Sequence, residues 1–259
     1  MPRYFLQLAY KGTAYSGFQV QHNAVTVQSV VEQALAILAQ ERVVLTGSSR
    51  TDAGVHARQN YFHFDMARSL EQWRDIRDSA QLLYKLNAIL PQDIVVLSVQ
   101  EVGDSAHCRF DAVARSYKYY ITRQKNPFLT DRAWYFPYRL EREQLQEAAR
   151  LILQYTDFTS FSKRNTQVKS FHCTIERSEW REEEGCLVYA VSANRFLRGM
   201  VRALTSTMLQ VGRGKLTLEG FRDVIEARDC TVASFAAPAH GLFLEEVVYP
   251  AGYFDGNMS

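Results

Sequence analysis

A chain of 259 residues, 47% hydrophobic and 22% charged, has the composition of an ordinary globular protein and can bury a large core in one domain or two. No apolar run approaches the roughly 20 residues of a membrane span, and the opening Met-Pro-Arg-Tyr-Phe-Leu-Gln lacks a signal-peptide plan, so the expected location is cytoplasmic. The net charge of +2 does not by itself announce a nucleic-acid binder.

In chain order, Tyr4–Ala9 predicts a strand. Thr26–Gln40 predicts a helix, because Val27, Val30, Val31, Ala34 and Leu38 recur at the helical period behind Thr26, a good N-cap. Val43–Thr46 and Gln59–Asp65 predict strands, 71–90 a helix stopped by Pro91, and Ile94–Val102 a strand. The second half repeats the plan loosely: strand Ser116–Arg123, helix Arg142–Leu153, strands Cys173–Arg181 and Cys186–Ala193, helices Phe196–Val211 and Leu218–Ala227, and a last strand Leu242–Val248. This is an α+β alternation in two halves, 1–104 and 105–259, without a Pro/Gly/Ser-rich linker, a low-complexity segment or a residue-by-residue repeat.

The four cysteines, Cys108, Cys173, Cys186 and Cys230, are scattered, with no Cys-x-x-Cys pair and no close histidine pair. Reduced thiols are expected, and no metal site. His172 and Cys173 are adjacent, but neighbours on a strand point to opposite faces and do not make a nucleophile pair. The charge distribution says more than its sum. No acid lies between Asp111 and Asp131, a window holding Arg115, Lys118, Arg123 and Lys125 among Tyr117, Tyr119 and Tyr120. Two further acid-free windows hold Lys163, Arg164 and Lys169, and Arg195, Arg198, Arg202, Arg213 and Lys215, while acids gather in Glu141–Glu147 and Glu176–Glu184. Brought together, the three windows would form a positive groove able to hold a phosphate backbone, with aromatics to stack on a nucleotide.

The most informative stretch is 47–60, Gly-Ser-Ser-Arg-Thr-Asp-Ala-Gly-Val-His-Ala-Arg-Gln-Asn, a polar loop between two apolar segments. It sets Asp52 between Arg50 and Gly54, which allows a sharp turn and a close approach to a ligand. Arg-Thr-Asp-Ala-Gly-Val-His-Ala resembles the signature of the tRNA pseudouridine synthase A family. Tyr10-Lys11-Gly12-Thr13-Ala14-Tyr15-Ser16-Gly17-Phe18-Gln19 is similar to that family's opening Tyr-x-Gly-Thr-x-Tyr-x-Gly-Trp-Gln, with Phe18 in place of the usual Trp. Phe110 to Tyr119 resembles the motif ending Arg-x-Tyr-x-Tyr. Phe196-Leu197-Arg198-Gly199-Met200-Val201-Arg202 resembles the segment whose last arginine faces the catalytic aspartate, and Ala237-Pro238-Ala239-His240-Gly241-Leu242 is also similar. Arg58, Asn60 and the pair Arg198-Gly199 depart from the family's usual residues and bear on the local RNA contacts and on the choice among neighbouring uridines.

The resemblance implies two ferredoxin-like halves with joined antiparallel or mixed sheets, a central RNA-binding cleft and a homodimer. It also implies isomerisation of uridine to pseudouridine at positions 38, 39 and 40 of the tRNA anticodon stem-loop, with no cofactor and no metal. Asp52 is then the nucleophile, Arg202 its ion-pair partner and Tyr117 the group that stacks on the base or moves the C5 proton. Arg50, His56 and Arg58 contact the substrate, His56 having local packing as its alternative. The chemistry suits these residue types. Breaking a glycosidic bond develops positive character on the sugar, which a carboxylate can capture covalently or stabilise; Asp52 could instead remove a ribose proton. A guanidinium opposes the upward shift that burial imposes on a carboxylate, and a paired uridine has to be flipped out at a cost of a few kcal/mol. Two rivals are a silent tRNA-binding factor, disfavoured by the intact Arg50, Asp52, Tyr117 and Arg202, and a nucleoside hydrolase or glycosidase, which would need a second carboxylate that no comparable motif supplies.

Overall fold

The computed structural model describes residues 1–164 and 168–255. In chain order its strands and α-helices are β1 (Arg3–Tyr10), α1 (Val27–Ala39), β2 (Thr46–Gly47), β3 (His56–Asp65), α2 (Ser79–Ile89), β4 (Ile94–Val102), β5 (Ala114–Thr122), β6 (Trp134–Tyr135), α3 (Arg142–Leu151), β7 (Ile175–Glu183), β8 (Cys186–Ala193), α4 (Met200–Gly212), α5 (Leu218–Glu226) and β9 (Leu242–Val248). The class is α+β with mixed strand pairing, as expected. Two compact units form: Met1–Val113 with the chain from Leu244 onward, and Ala114–Phe243.

In the first unit β1 runs antiparallel to both β3 and β4, and β2 pairs with β3, giving the order β4-β1-β3-β2. With α1 after β1 and α2 after β3, this is the β-α-β-β-α-β ferredoxin-like plan. Tyr4, Leu6 and Leu8 on β1 alternate onto one face and are buried together with Phe62, Val31, Leu35, Leu82 and Leu86. Each such side chain contributes roughly 1.5–3 kcal/mol when fully buried. The opposite face is aromatic: Phe5 and Tyr61 lie against Tyr249 and Phe254 from the chain's closing segment, Tyr61 and Phe254 stacked at 5.6 Å. Thr26 caps α1 as expected, accepting from Ser29 N–H while the Ser29 hydroxyl accepts from Thr26 N–H.

In the second unit β8 lies between β5 and β7, antiparallel to both, and the short β6 runs parallel to β5. Helix α3 precedes β7, and α4 and α5 follow β8. Helix α4 is buried along nearly its whole length, from Met200 to Gly212. No helix among the described residues is long and apolar enough to cross a membrane.

Three sequence expectations need correction. Val43–Thr46 is a strand only at its end, because the Leu45 N–H donates to Glu32 and the Leu45 carbonyl accepts from Gln28. Both backbone groups are satisfied by side chains of α1 rather than by a ladder. The helix expected over 71–90 begins at Ser79, where Asp78 caps it by accepting from the Gln81 N–H at 2.7 Å; Asp75, at φ +60°, breaks the helical path before it. The helix expected from Phe196 begins at Met200, since Gly199 at φ +76° turns the chain into α4.

Candidate active site and nucleic-acid interface

In the first unit, the loop carrying Asp52 is held by the opening motif. The Asp52 carbonyl accepts from the Val55 N–H at 3.1 Å, and Gly54 takes φ +77°, so the chain reverses tightly just after the carboxylate. The Phe18 N–H donates to the Thr51 carbonyl, and the Gly12 N–H to Nδ1 of His56, each at 3.1 Å. The approach is so close that a Cβ on Gly12 would stand 2.0 Å from the Val55 carbonyl oxygen, and one on Gly17, itself at φ +94°, 3.0 Å from that of Thr51. The two motifs, some forty residues apart in sequence, are therefore one object.

Beneath the loop lies a closed hydrogen-bond network. Tyr10 shares a 2.8 Å bond with the Thr51 hydroxyl and accepts from Nδ2 of Asn60. The same Nδ2 donates to the Ser49 carbonyl, and Oδ1 accepts from Ser48 and from the Tyr61 N–H. Burial pushes Tyr10 up to about 12, so its proton stays in the network. Asn60, which departs from the family's usual residue, is fully buried and braces the loop from inside. His56 is buried as well, its Nδ1 occupied by Gly12, so the structure places it as a brace rather than at the surface. Arg50 and Arg58 are exposed, Arg58 bridged to Glu245 at 3.1 Å, while Asp52 is half-buried. Phe18 is buried and stacks on Phe62 at 4.6 Å, with Gly47 leaving room for its ring.

In the second unit, Tyr117 stands on β5, half-buried, its ring edge-on to Phe196 at 5.1 Å. Arg202 lies in the first turn of α4, and its Nε donates to the Ala237 carbonyl at 2.7 Å. The chain from Ser234 to Gly241 is laid along this region by further bonds: Ser206 donates to the Ser234 carbonyl, the Ser234 N–H to Thr207, and Tyr119 to the Pro238 carbonyl at 2.7 Å. Burial holds the Tyr119 hydroxyl well above its ordinary range, with the Arg202 charge opposing it. Sequence reasoning missed the bracing roles of Tyr119, Asn60 and the Ala237 carbonyl; the glycines of the opening motif were the available signal for the first unit's bracing. Cys173 is buried and pushed up to about 11 by that burial, which rules it out as a ready nucleophile.

The acid-free windows, all within the second unit, meet only in part. Arg115 pairs across to Ala193 and donates to the Asn194 carbonyl, Asn194 exchanges bonds with Thr174, and the Lys163 N–H donates to the Arg198 carbonyl. Residues of all three windows thus converge near Arg115, Arg195, Arg198 and Lys163. Arg123 and Lys125 lie at the far end of β5, about 26 Å away along an extended strand, where with Arg142, Glu182 and Glu184 they line a cavity of about 560 Å³. Lys118 is tied to Glu183 at 2.7 Å, and Arg213 stacks over Tyr138 at 3.6 Å, so these two serve the fold.

A family model described as tRNA pseudouridine synthase matches residues 8–111 and 148–250. The chain belongs to the tRNA pseudouridine synthase family. It is 46% identical to the tRNA pseudouridine synthase A of Parabacteroides distasonis, covering 98% of each chain. It is 44% identical to that of Porphyromonas gingivalis, over 98% of this chain and all of the relative. It is 37% identical to that of Bacillus subtilis, over 93% and 97%. As a pseudouridine synthase it is an isomerase that converts uridine to pseudouridine in tRNA. The matched stretches contain the Asp52 loop, its bracing motif and the Arg202 segment, whereas Tyr117, in Arg-Ser-Tyr-Lys-Tyr, lies between them.

Proposed function

We propose that this synthase acts at positions 38, 39 and 40 of the anticodon stem-loop, with Asp52 attacking the nucleotide after the target uridine is flipped out of its stem. The observation that carries this reading is the Asp52 loop, a half-buried carboxylate on a tight turn whose Ser49, Thr51 and Asp52 carbonyls are all held by internal hydrogen bonds. Such bracing holds a reacting group in place at little entropic cost. The carboxylate captures or stabilises the sugar as N1 leaves C1′. The base then turns, C5 bonds to C1′, the C5 proton departs and N1 gains one, so no atom enters from a cofactor.

In this mechanism Arg202 is the ion-pair partner of the carboxylate, a pairing supported by the motif match. Tyr117 stacks on the base or takes the C5 proton, and Arg50 holds the phosphate or fills the vacated stack. Arg58 contacts the backbone at the loop's edge. His56, assigned to substrate contact by resemblance, acts instead by positioning the loop, as its burial supports. The proposed assembly is a homodimer in the cytoplasm.

Mapping pseudouridine in an unmodified tRNA after incubation with the enzyme tests this. Product confined to positions 38–40 is expected; product elsewhere overturns the stem-loop assignment, and free uracil would point to a hydrolase. The converging bases make a second expectation. Replacing Lys163, Arg195 and Arg198 together by Ala weakens tRNA binding and reduces the slope of log affinity against log salt by about 0.9 for each phosphate that is no longer neutralised. An unchanged slope removes this face from the RNA interface.

A further inference from the structure

The first unit holds a second cluster of chemically capable side chains, at the far end of β3 from the Asp52 loop. His63 lies seven residues beyond His56, about 23 Å along the strand. His63 and Cys108 are buried, and His107 is half-buried beside them. Nδ1 of His63 is 3.2 Å from Sγ of Cys108, the two imidazoles meet edge to face at 4.7 Å, and one ligating atom from each of the three residues lies within 4.8 Å of the others. A tetrahedral zinc ion with bonds near 2.0 Å to nitrogen and 2.3 Å to sulfur spaces those ligands roughly 3.5 Å apart. The cluster is thus within a small contraction of that geometry.

We propose that His63, His107 and Cys108 form a binding site for a divalent transition-metal ion of the zinc class, with two imidazoles, one thiolate and a water as ligands. The donor set is that of borderline-soft ions and does not suit magnesium or calcium, which take oxygen. The residues are already arranged for the task. Ring orientation is set from outside: His63 stacks on Phe5 at 5.9 Å, and His107 lies on Phe110 at 4.2 Å with the Arg109 N–H donating to its Nδ1 at 3.1 Å.

The Cys108 thiol now donates to the Thr46 carbonyl at 3.1 Å. On binding, the S–H bond breaks, the metal–sulfur bond forms and the proton leaves to solvent, and each imidazole contributes a nitrogen lone pair. The site joins β3 to the irregular segment from Gly103 to Asp111, otherwise held by Arg3 on the Ala106 carbonyl, Tyr249 on the Cys108 carbonyl and Tyr253 on Asp111. Its role is to pin that segment, apart from the chemistry at Asp52.

The test titrates chelator-stripped full-length protein with Co²⁺ and then competes with Zn²⁺. One Co²⁺ per chain is expected, with thiolate-to-cobalt charge-transfer absorption, release of about one proton and displacement by Zn²⁺. Cys108→Ser should abolish the charge-transfer band and weaken Zn²⁺ binding by more than about tenfold, with an unchanged far-ultraviolet circular dichroism spectrum. Should that variant not fold, His107→Gln, at the half-exposed ligand, should give the same loss of Zn²⁺ affinity. Absence of the band in the wild type, or its persistence in Cys108→Ser, overturns the proposal and leaves the three residues as a hydrogen-bonded core.

Discussion

Asp52→Asn is expected to reduce pseudouridine formation by on the order of 10⁴-fold or more while tRNA still binds. The substitution keeps the side chain's size on the tight Asp52–Val55 turn and removes only the charge. The carboxylate itself, rather than the shape of the loop, is then what is tested. Tritium release from tRNA labelled at uridine C5 reads the reaction directly, since the proton at C5 must leave when that carbon bonds to the sugar. Release by the variant at more than about a hundredth of the wild-type rate would move the nucleophile's role off Asp52, because a group acting in the transition state is not dispensable to that degree.

Gly12→Ala is expected to cost at least about a hundredfold in rate without removing any reactive group. The new methyl would stand 2.0 Å from the Val55 carbonyl oxygen, and that atom is backbone, so the loop or the turn at Gly12–Ala14 has to move. The move also breaks the bond from the Gly12 N–H to His56 and displaces the stretch between Thr51 and Val55. A misplacement of about 1 Å at a reacting group costs on the order of a hundredfold in rate, and we expect a fall in kcat of at least that size. Overpacking of this kind also costs about 1–3 kcal/mol of stability, which thermal unfolding would register. Gly103→Ala is the control: a Cβ there meets nothing within 4 Å. If Gly12→Ala is as active as Gly103→Ala, the bracing of the loop by the opening motif does not matter to catalysis.

These two variants mark the difference between what could be read along the chain and what could not. Asp52 was legible because its neighbours are confined by local chemistry: Gly54 must take a positive φ, and a polar run between apolar strands makes a loop. The elements with strong periodicity were legible for the same reason. α1, β4, β8 and β9 fall where alternation and the Thr26 cap put them. The misread elements are those whose backbone groups find partners far away in sequence or in side chains. The Leu45 carbonyl and N–H are taken by Gln28 and Glu32 of α1, and the helix expected from residue 71 is displaced by the turn at Asp75 and the cap at Asp78. The acid-free windows showed where positive charge is concentrated, but not that Lys118 is spent on Glu183 or that the first window is divided between the two ends of β5.

By itself the sequence determined the α+β class, the motif residues and, through their order, the family, because turn geometry, capping and hydrophobic period are set by residues close together in the chain. Only the tertiary structure decided which side chains brace which. It turned Asn60 and His56 inward, laid the chain from Ser234 to Gly241 along α4, returned the chain from Leu244 onward to the first unit, and brought His63 beside His107 and Cys108. The physical reason is that each of these depends on strand register and on the close approach of backbones remote in sequence, which local propensity does not encode.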